Sequence, residues 1–165
     1  MLAAGLSILF SHAAIDEPFA QSLRRSLDSE LRRRTDIAVT WRLTSQNQND
    51  SATSEMAILA SDVFIPILSR TYLTDQFSQR ELLLITSFQR QLRQVFPVTR
   101  RPLSIQEERN LPHTFRDLKT FAVWRYSYGM FDVAEELAAE IVKSRGCSRT
   151  LAAGIEMFLA NANQT

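Results

Sequence analysis

The chain has 165 residues and a mass of 18.8 kDa, which is enough for one domain with one hydrophobic core. Its composition is that of an ordinary globular protein, with no apolar run near the roughly 20 residues of a membrane span and a net charge of only +1. A single cysteine, Cys147, excludes an internal disulfide framework, and a start without basic residues before Arg24 does not match a secretory signal peptide, so we expect a cytoplasmic protein that binds neither nucleic acid nor membrane.

The first 41 residues predict a strand, a helix and a second strand. Residues 6–11 form a short apolar run typical of a buried strand. Asp16 then stands at the N-cap of a helix of about 16 residues, with Pro18 in its first turn. Residues 37–41 are apolar and β-branched enough to form the second strand. The helix has one apolar stripe, formed by Phe19, Leu23, Leu27 and Leu31.

The middle of the chain predicts a loop, a helix, a strand and a long helix. Residues 43–52 are polar and without periodicity, so we expect an exposed loop, followed by a short helix over 51–61. Residues 63–68 are almost continuously apolar, as in a strand covered on both faces. An amphipathic pattern then predicts one helix over residues 75–93.

The last third predicts two more strands, over 95–99 and 120–126, separated by an irregular stretch over 100–117. A final helix over 132–144 opens with a capping-box-like pair, Asp132 and Glu135. Strands that alternate with helices in this way indicate a parallel α/β sheet with helices on both faces. We expect this domain to cover residues 1–146, with a C-terminal amphipathic extension or linker over 147–165.

Four short blocks of sequence resemble the Toll/interleukin-1 receptor (TIR) domain family. Residues 8–12 (ILFSH) followed by Asp16 look like the opening TIR strand, and residues 49–51 (NDS) are similar to the entry of the second TIR helix. Residues 96–98 (FPV) echo the fourth strand. The most specific block is 61–82, with Phe77 and Ser78 where the family commonly has Trp and Cys; its matching residues are Leu68, Ser69, Tyr72, Leu73, Glu81 and Leu82.

The resemblance implies a flavodoxin-like TIR sandwich with a five-stranded parallel sheet. It also implies an NAD⁺ glycohydrolase or ADP-ribosyl cyclase that cleaves the nicotinamide–ribose bond in immune or stress signalling. Glu81 corresponds to the family's catalytic glutamate, and NAD⁺ is its substrate; we expect no cofactor and no metal. The implied partners are other TIR domains, through self-assembly, and a sensor domain or partner protein.

The chemistry makes one carboxylate sufficient. Nicotinamide departs from NAD⁺ as a neutral molecule, so no general acid is needed, unlike in ordinary glycoside hydrolysis. What remains is a fixed negative charge near the ribose, and Phe77 lies one helical turn before Glu81. Strand ends should bring polar residues to the same edge of the sheet. The substrate-binding candidates are Phe10, Ser11, His12, Trp41, Ser69 and Phe77, and the interaction-loop candidates are Gln46, Asn47 and Asp50.

Other interpretations of the same residues stay open. Glu81 also fits a helix-dipole or capping role, Phe77 a core position, and His12 a hydrogen-bonded strand end. The first alternative function is a non-catalytic TIR interaction module, a signalling adaptor that docks other TIR domains through residues 43–52. A further alternative is a nucleoside deoxyribosyltransferase-like enzyme, against which the block at 68–73 argues.

Overall fold

A computed structural model describes residues 5–45, 51–87 and 94–145 of the chain, with the backbone alone for 43–45 and 51–54. In these ranges, strands and helices alternate as β1 (Leu6–His12), α1 (Glu17–Arg34), β2 (Val39–Ser45), α2 (Ser51–Leu59) and β3 (Val63–Leu68). There follow α3 (Arg70–Thr74), α4 (Gln76–Ser87), β4 (Gln94–Val95), β5 (Val98–Thr99), α5 (Ile105–Arg109), α6 (His113–Arg116), β6 (Phe121–Ala122) and α7 (residues 130–145).

All strand pairs in the described sheet are parallel. The strand order is β2-β1-β3-β5-β6, and the short β4 pairs with β3 beside β5. β1 lies between β2 and β3, with Ser11 opposite Thr44 of β2 on one side and opposite Pro66 of β3 on the other. This order, with helices on both faces, is flavodoxin-like, and it confirms the predicted fold class.

Two apolar clusters cover the two faces of the sheet. Alternating residues of β1 point to opposite faces, so Ile8 and Phe10 enter one cluster and Leu9 enters the other. We call the first cluster the α1 face; its buried members include Leu23, Leu27, Leu31, Val133, Leu137 and Ile141. We call the second the α4 face; its buried members include Phe64, Tyr72, Leu82, Ile85, Leu111 and Phe115.

Several predicted boundaries are wrong. β2 runs to Ser45, so residues 43–45 belong to a strand and not to the expected loop, because pairing with β1 continues to His12. The expected helix over 75–93 corresponds to α4, which begins at Gln76; the short α3 before it, which ends at the extended backbone of Asp75, was not predicted. Residues 46–50, 88–93 and 146–165 lie outside the described residues, and with them the interaction-loop residues Gln46, Asn47 and Asp50 and the C-terminal segment.

The strands near the far edge of the sheet are shorter than predicted. The expected strand over 95–99 is interrupted between β4 and β5, where Pro97 has no amide hydrogen to donate. The expected strand over 120–126 ends at Ala122 and continues as a 3₁₀ turn over Val123–Arg125. The two residues of β6 pair with the two residues of β5, so the described pairing between these strands ends at Ala122.

The stretch over 100–117, predicted to be irregular, contains α5 and α6. Ser104 and Glu107 form a capping box at the start of α5, in which each side chain accepts a hydrogen bond from the other's backbone amide. Arg101 also holds Glu107, with 2.7 Å between Nη2 and Oε1. These contacts explain a helix that periodicity did not indicate.

Of the two predicted helix caps, the first is confirmed in its position and the second is wrong. Asp16 occupies the N-cap position of α1, but its side chain makes no capping hydrogen bond; its Oδ1 lies 3.4 Å from Nη1 of Arg100. Helix α7 begins at residue 130, before the predicted start. The side chain of Asp132 therefore accepts a hydrogen bond from the backbone of Tyr128 and does not form a capping box with Glu135 at the helix start. Within the described residues, no helix is long and apolar enough to cross a membrane.

Candidate functional site

Glu81 lies in the second turn of α4 and points toward the carboxyl end of β1. Its side chain is on the α4 face of the sheet and only 2% of the residue is exposed. The hydroxyl of Ser11, the penultimate residue of β1, donates a hydrogen bond to Glu81 Oε2. A strand end and a helix 70 residues further along the chain therefore meet at one buried carboxylate.

Tyr72 completes a three-residue network. Its hydroxyl oxygen lies 2.9 Å from Ser11 Oγ. Because the single hydroxyl proton of Ser11 is donated to Glu81, the phenol of Tyr72 must be the donor in this second bond. The direction of donation thus runs from Tyr72 to Ser11 to Glu81, and two hydroxyls are aligned toward the carboxylate.

The environment keeps Tyr72 in its donor form. Burial raises the pKa of the Tyr72 phenol well above 10, and the nearby charge of Glu81 raises it further; the hydrogen bond with Ser11 lowers it by less. The phenol is therefore protonated at neutral pH. A network with a fixed donor at one end and a carboxylate at the other has one arrangement of its hydrogen bonds, which orients the carboxylate.

Two capping interactions position the helices that carry this network. Ser69 Oγ accepts a hydrogen bond of 3.2 Å from the backbone amide of Tyr72, which starts α3 directly after β3. Asp75 Oδ2 accepts one of 2.8 Å from the backbone amide of Ser78, in the first turn of α4. The two caps set where Tyr72 and Glu81 lie relative to the strand ends.

The structure separates the other predicted substrate-binding residues. Phe10 and Trp41 pack together on the α1 face, with 5.7 Å between ring centroids, and Trp41 Nε1 donates to Asp28 at 2.9 Å. His12 is buried at the end of β1, where its Nδ1 lies 2.8 Å from the carbonyl oxygen of Ala13. Strand alternation puts Phe10 and His12 on the face opposite to Ser11. Of the predicted substrate-binding residues, Ser11 therefore contacts Glu81 as expected. Ser69 instead caps α3, the helix that carries Tyr72.

Phe77 is half-buried and lies one helical turn before Glu81. Tyr72 was part of the sequence pattern that resembles TIR domains, but its role in the site was missed. The available signal was its position three residues after the capping Ser69, at the start of a helix that follows a buried strand. Within the described ranges, no group of three or more His, Cys, Asp or Glu side chains could hold a metal ion.

The chemical potential of this arrangement is electrostatic. A carboxylate with fixed position in a buried site can stabilise positive charge that develops in a transition state more strongly than a carboxylate in water can. Its place beyond the carboxyl end of β1 is where open parallel sheets commonly bind ligands. Ser11 donates a hydrogen bond to the carboxylate, and Tyr72 in turn donates one to Ser11.

Comparisons with known proteins bear on the fold alone. No protein-family model and no curated protein sequence matches this chain. Among solved structures, it is similar to the metal-soaked flavodiiron core of Flv1 from Synechocystis sp. PCC6803, with a TM-score of 0.57 and 17% sequence identity. The match covers 86% of this chain and 37% of that chain, so this chain spans little more than a third of its length. The likeness agrees with a flavodoxin-like sheet.

Proposed function

We propose that this chain is a TIR-type NAD⁺ glycohydrolase or ADP-ribosyl cyclase, in which Glu81 is the catalytic carboxylate. The observation that carries the proposal is the contact between Glu81 and Ser11 beyond the carboxyl end of β1. Two blocks that resemble the TIR family, 8–12 and 61–82, supply these two residues. The proposed setting is immune or stress signalling in the cytoplasm, with NAD⁺ as substrate and with other TIR domains and a sensor domain or partner protein as partners.

In the proposed reaction, the bond between nicotinamide and the ribose breaks and both its electrons leave with neutral nicotinamide. The ribose becomes oxocarbenium-like and positively charged. The Glu81 carboxylate stabilises that charge, and Ser11 and Tyr72 hold the carboxylate in position. Water then bonds to the anomeric carbon and releases a proton to the solvent, which gives ADP-ribose; a second nucleophile of the substrate in place of water gives a cyclic product.

A second candidate function is a non-catalytic TIR interaction module. The specific observation in its favour is that Glu81 is 2% exposed in a network with its own chain. A carboxylate in this position also stabilises the junction of β1, α3 and α4. The two candidates differ in whether a ribose reaches Glu81, and therefore in whether NAD⁺ is cleaved.

The deciding experiment is chromatographic detection of nicotinamide after incubation with NAD⁺ over a range of protein concentrations. We expect the wild type to release nicotinamide, and Glu81→Gln to lower the rate by about 10²–10³ through loss of a fixed electrostatic stabiliser. Glu17→Gln is the matched control, because it removes one exposed carboxylate from the start of α1.

Each other result has a defined meaning. Cleavage that survives Glu81→Gln at nearly the wild-type rate would refute the role of Glu81. A wild type that self-associates without releasing nicotinamide at any concentration would support the interaction module. Transfer of deoxyribose between nucleosides, measured in parallel, would instead indicate the deoxyribosyltransferase-like alternative.

A further inference from the structure

A cavity of about 500 Å³ lies beyond the carboxyl ends of β5 and β6, between those strands and the helices α5 and α6. Its volume is within the roughly 300–1,000 Å³ of small-molecule sites. Leu111 and Phe115, both buried in the cluster of the α4 face, form part of its wall. The cavity is on the same face of the sheet as Glu81. Ser11 is on β1 and Thr99 is on β5, and β3 lies between these two strands. Two inter-strand spacings therefore separate Ser11 from Thr99 by about 10 Å across the sheet.

The cavity wall carries an excess of positive charge. Three arginines are among its lining residues, Arg109, Arg116 and Arg125, against one acidic residue, Glu108. In the part of the chain that the structure describes, none of the three arginines forms an ion pair. Arg116 is held in place by donating from Nη2 to the backbone oxygen of Arg109 at 3.3 Å. Arginines without a carboxylate partner are well suited to bind a phosphate or carboxylate group.

Thr99 supplies an independent sign of a ligand. It lines the cavity at the end of β5, is only 1% exposed, and its Oγ1 has no hydrogen-bond partner among the described residues. Buried hydroxyl groups in folded proteins nearly always have a partner. A hydroxyl both donates and accepts, so a polar group of a ligand in this cavity would satisfy it.

An aromatic surface lies beside the charged groups. Trp124 lines the cavity and is 40% exposed, which is a large exposed area for a tryptophan on a folded domain. The guanidinium carbon of Arg125 lies 5.7 Å from the centroid of its ring. A planar ring that stacks on Trp124 would therefore place an attached anion close to a guanidinium group.

We propose that this cavity is a binding site for an aromatic anion of about the size of a nucleoside monophosphate. Its ring stacks on Trp124, its anionic group binds the arginine cluster of Arg109, Arg116 and Arg125, and a polar group bonds to the hydroxyl of Thr99. The site is separate from the Glu81 network and does not depend on the proposed NAD⁺ cleavage.

The test is calorimetric titration of the full chain with AMP, adenosine and inorganic phosphate. AMP carries both a ring and an anion, so we expect it to bind more tightly than either part. Thr99→Val keeps the branched shape of the side chain and should weaken AMP binding by roughly 2–10-fold, as expected for one neutral hydrogen bond. Arg116→Gln should weaken it by about 10–100-fold, as expected for a charged one.

Arg32→Gln is the matched control, because Arg32 is an exposed arginine on α1, outside the cavity. It should leave AMP binding unchanged, and Glu81→Gln should do the same. Thermal unfolding checks that Thr99→Val, which removes an unpartnered hydroxyl, does not destabilise the fold. The proposal is overturned if AMP does not bind, if phosphate alone binds as tightly as AMP, or if Arg32→Gln weakens binding as much as Arg116→Gln. Loss of AMP binding in Glu81→Gln with retention in Thr99→Val would likewise refute this location.

Discussion

Replacing Ser11 with Ala tests the Tyr72–Ser11–Glu81 network directly. The substitution removes two buried hydrogen bonds at once, one to a carboxylate and one from a phenol. A hydrogen bond to a charged group contributes about 1.5–3 kcal/mol, and a buried donor that loses its acceptor costs about 1–3 kcal/mol. Allowing for partial relaxation around the smaller side chain, we expect Ser11→Ala to lower the free energy of unfolding by about 3 kcal/mol.

Tyr72→Phe separates the contributions of the two hydrogen bonds made by Ser11. This change removes the donor of the bond to Ser11 but leaves Ser11 able to donate to Glu81. One neutral hydrogen bond is lost while an apolar ring stays buried, so we expect a cost of about 1 kcal/mol. The double variant should then cost less than the sum of the two single variants, because both remove the same bond between Ser11 and Tyr72.

Urea unfolding at pH 7, followed by circular dichroism, measures all three variants on one scale. Ser29→Ala serves as the control, because Ser29 is exposed on the solvent side of α1. It should change the free energy of unfolding by less than about 0.5 kcal/mol. If Ser11→Ala were no more destabilising than Tyr72→Phe, Ser11 would not be the bridging residue. Strictly additive costs in the double variant would also contradict the shared bond.

Three further measurements test other parts of the structure. The Arg101 guanidinium lowers the pKa of Glu107 from 4.5 to about 2. The ionised Glu107 side chain therefore stabilises the fold above pH 4.5, and this stabilisation is lost as the pH falls toward 2. Because Arg101 is half exposed, we expect Glu107→Gln to cost about 1–2 kcal/mol at pH 7, with urea midpoints that converge with those of the wild type near pH 2. Trp41→Phe removes the hydrogen bond to Asp28 and should cost about 1 kcal/mol in the same assay, whereas no change would refute that bond. Leu27→Ala empties a fully buried position on α1 and should cost about 2–5 kcal/mol; a cost below 1 kcal/mol would contradict the packing of α1 on the sheet.

Elements with a strong pattern of their own were predictable from the sequence. β1 and β3 are buried runs of apolar residues, and the four-residue spacing of Leu23, Leu27 and Leu31 identified the buried side of α1. Such patterns indicate which side chains of an element are buried, and the burial of apolar side chains is what mainly stabilises these segments. The alternation of these elements was enough for the fold class.

Elements whose limits depend on a partner were not predictable. The apolar pattern after Ala122 continues, but β6 has two residues of β5 to pair with. Likewise, the sequence pattern predicted a helix from residue 75 but not the short α3 before it, which the side chain of Ser69 caps and the extended backbone of Asp75 ends. In both places the local sequence allows more than one conformation, and contacts with distant or capping groups select one.

The candidate site shows the same division. The rule that strand ends share one edge of the sheet predicted that Ser11 would meet Glu81. Side chains alternate along a strand, so Phe10 and His12 point to the face opposite to Ser11. The prediction used only the position of these residues near the strand end and did not apply the alternation. Tyr72 was missed because a tyrosine in an apolar helix is usually a core residue; its role depends on a contact with β1, 61 residues away along the chain.

The burial of Glu81 determines how an activity loss must be interpreted. Under either candidate function, its carboxylate accepts a hydrogen bond that helps to join β1 to α4, so removing the side chain would weaken the fold and lower any activity indirectly. Glu81→Gln retains an oxygen that accepts the proton of Ser11, removes the charge, and puts an amide NH₂ in place of the second oxygen. If this variant unfolds at a urea midpoint close to that of the wild type and loses NAD⁺ cleavage, the loss comes from the charge. If stability and activity fall together, as they should in Ser11→Ala, the carboxylate is needed first for structure. The pair of variants therefore separates the electrostatic role of Glu81 from its structural one.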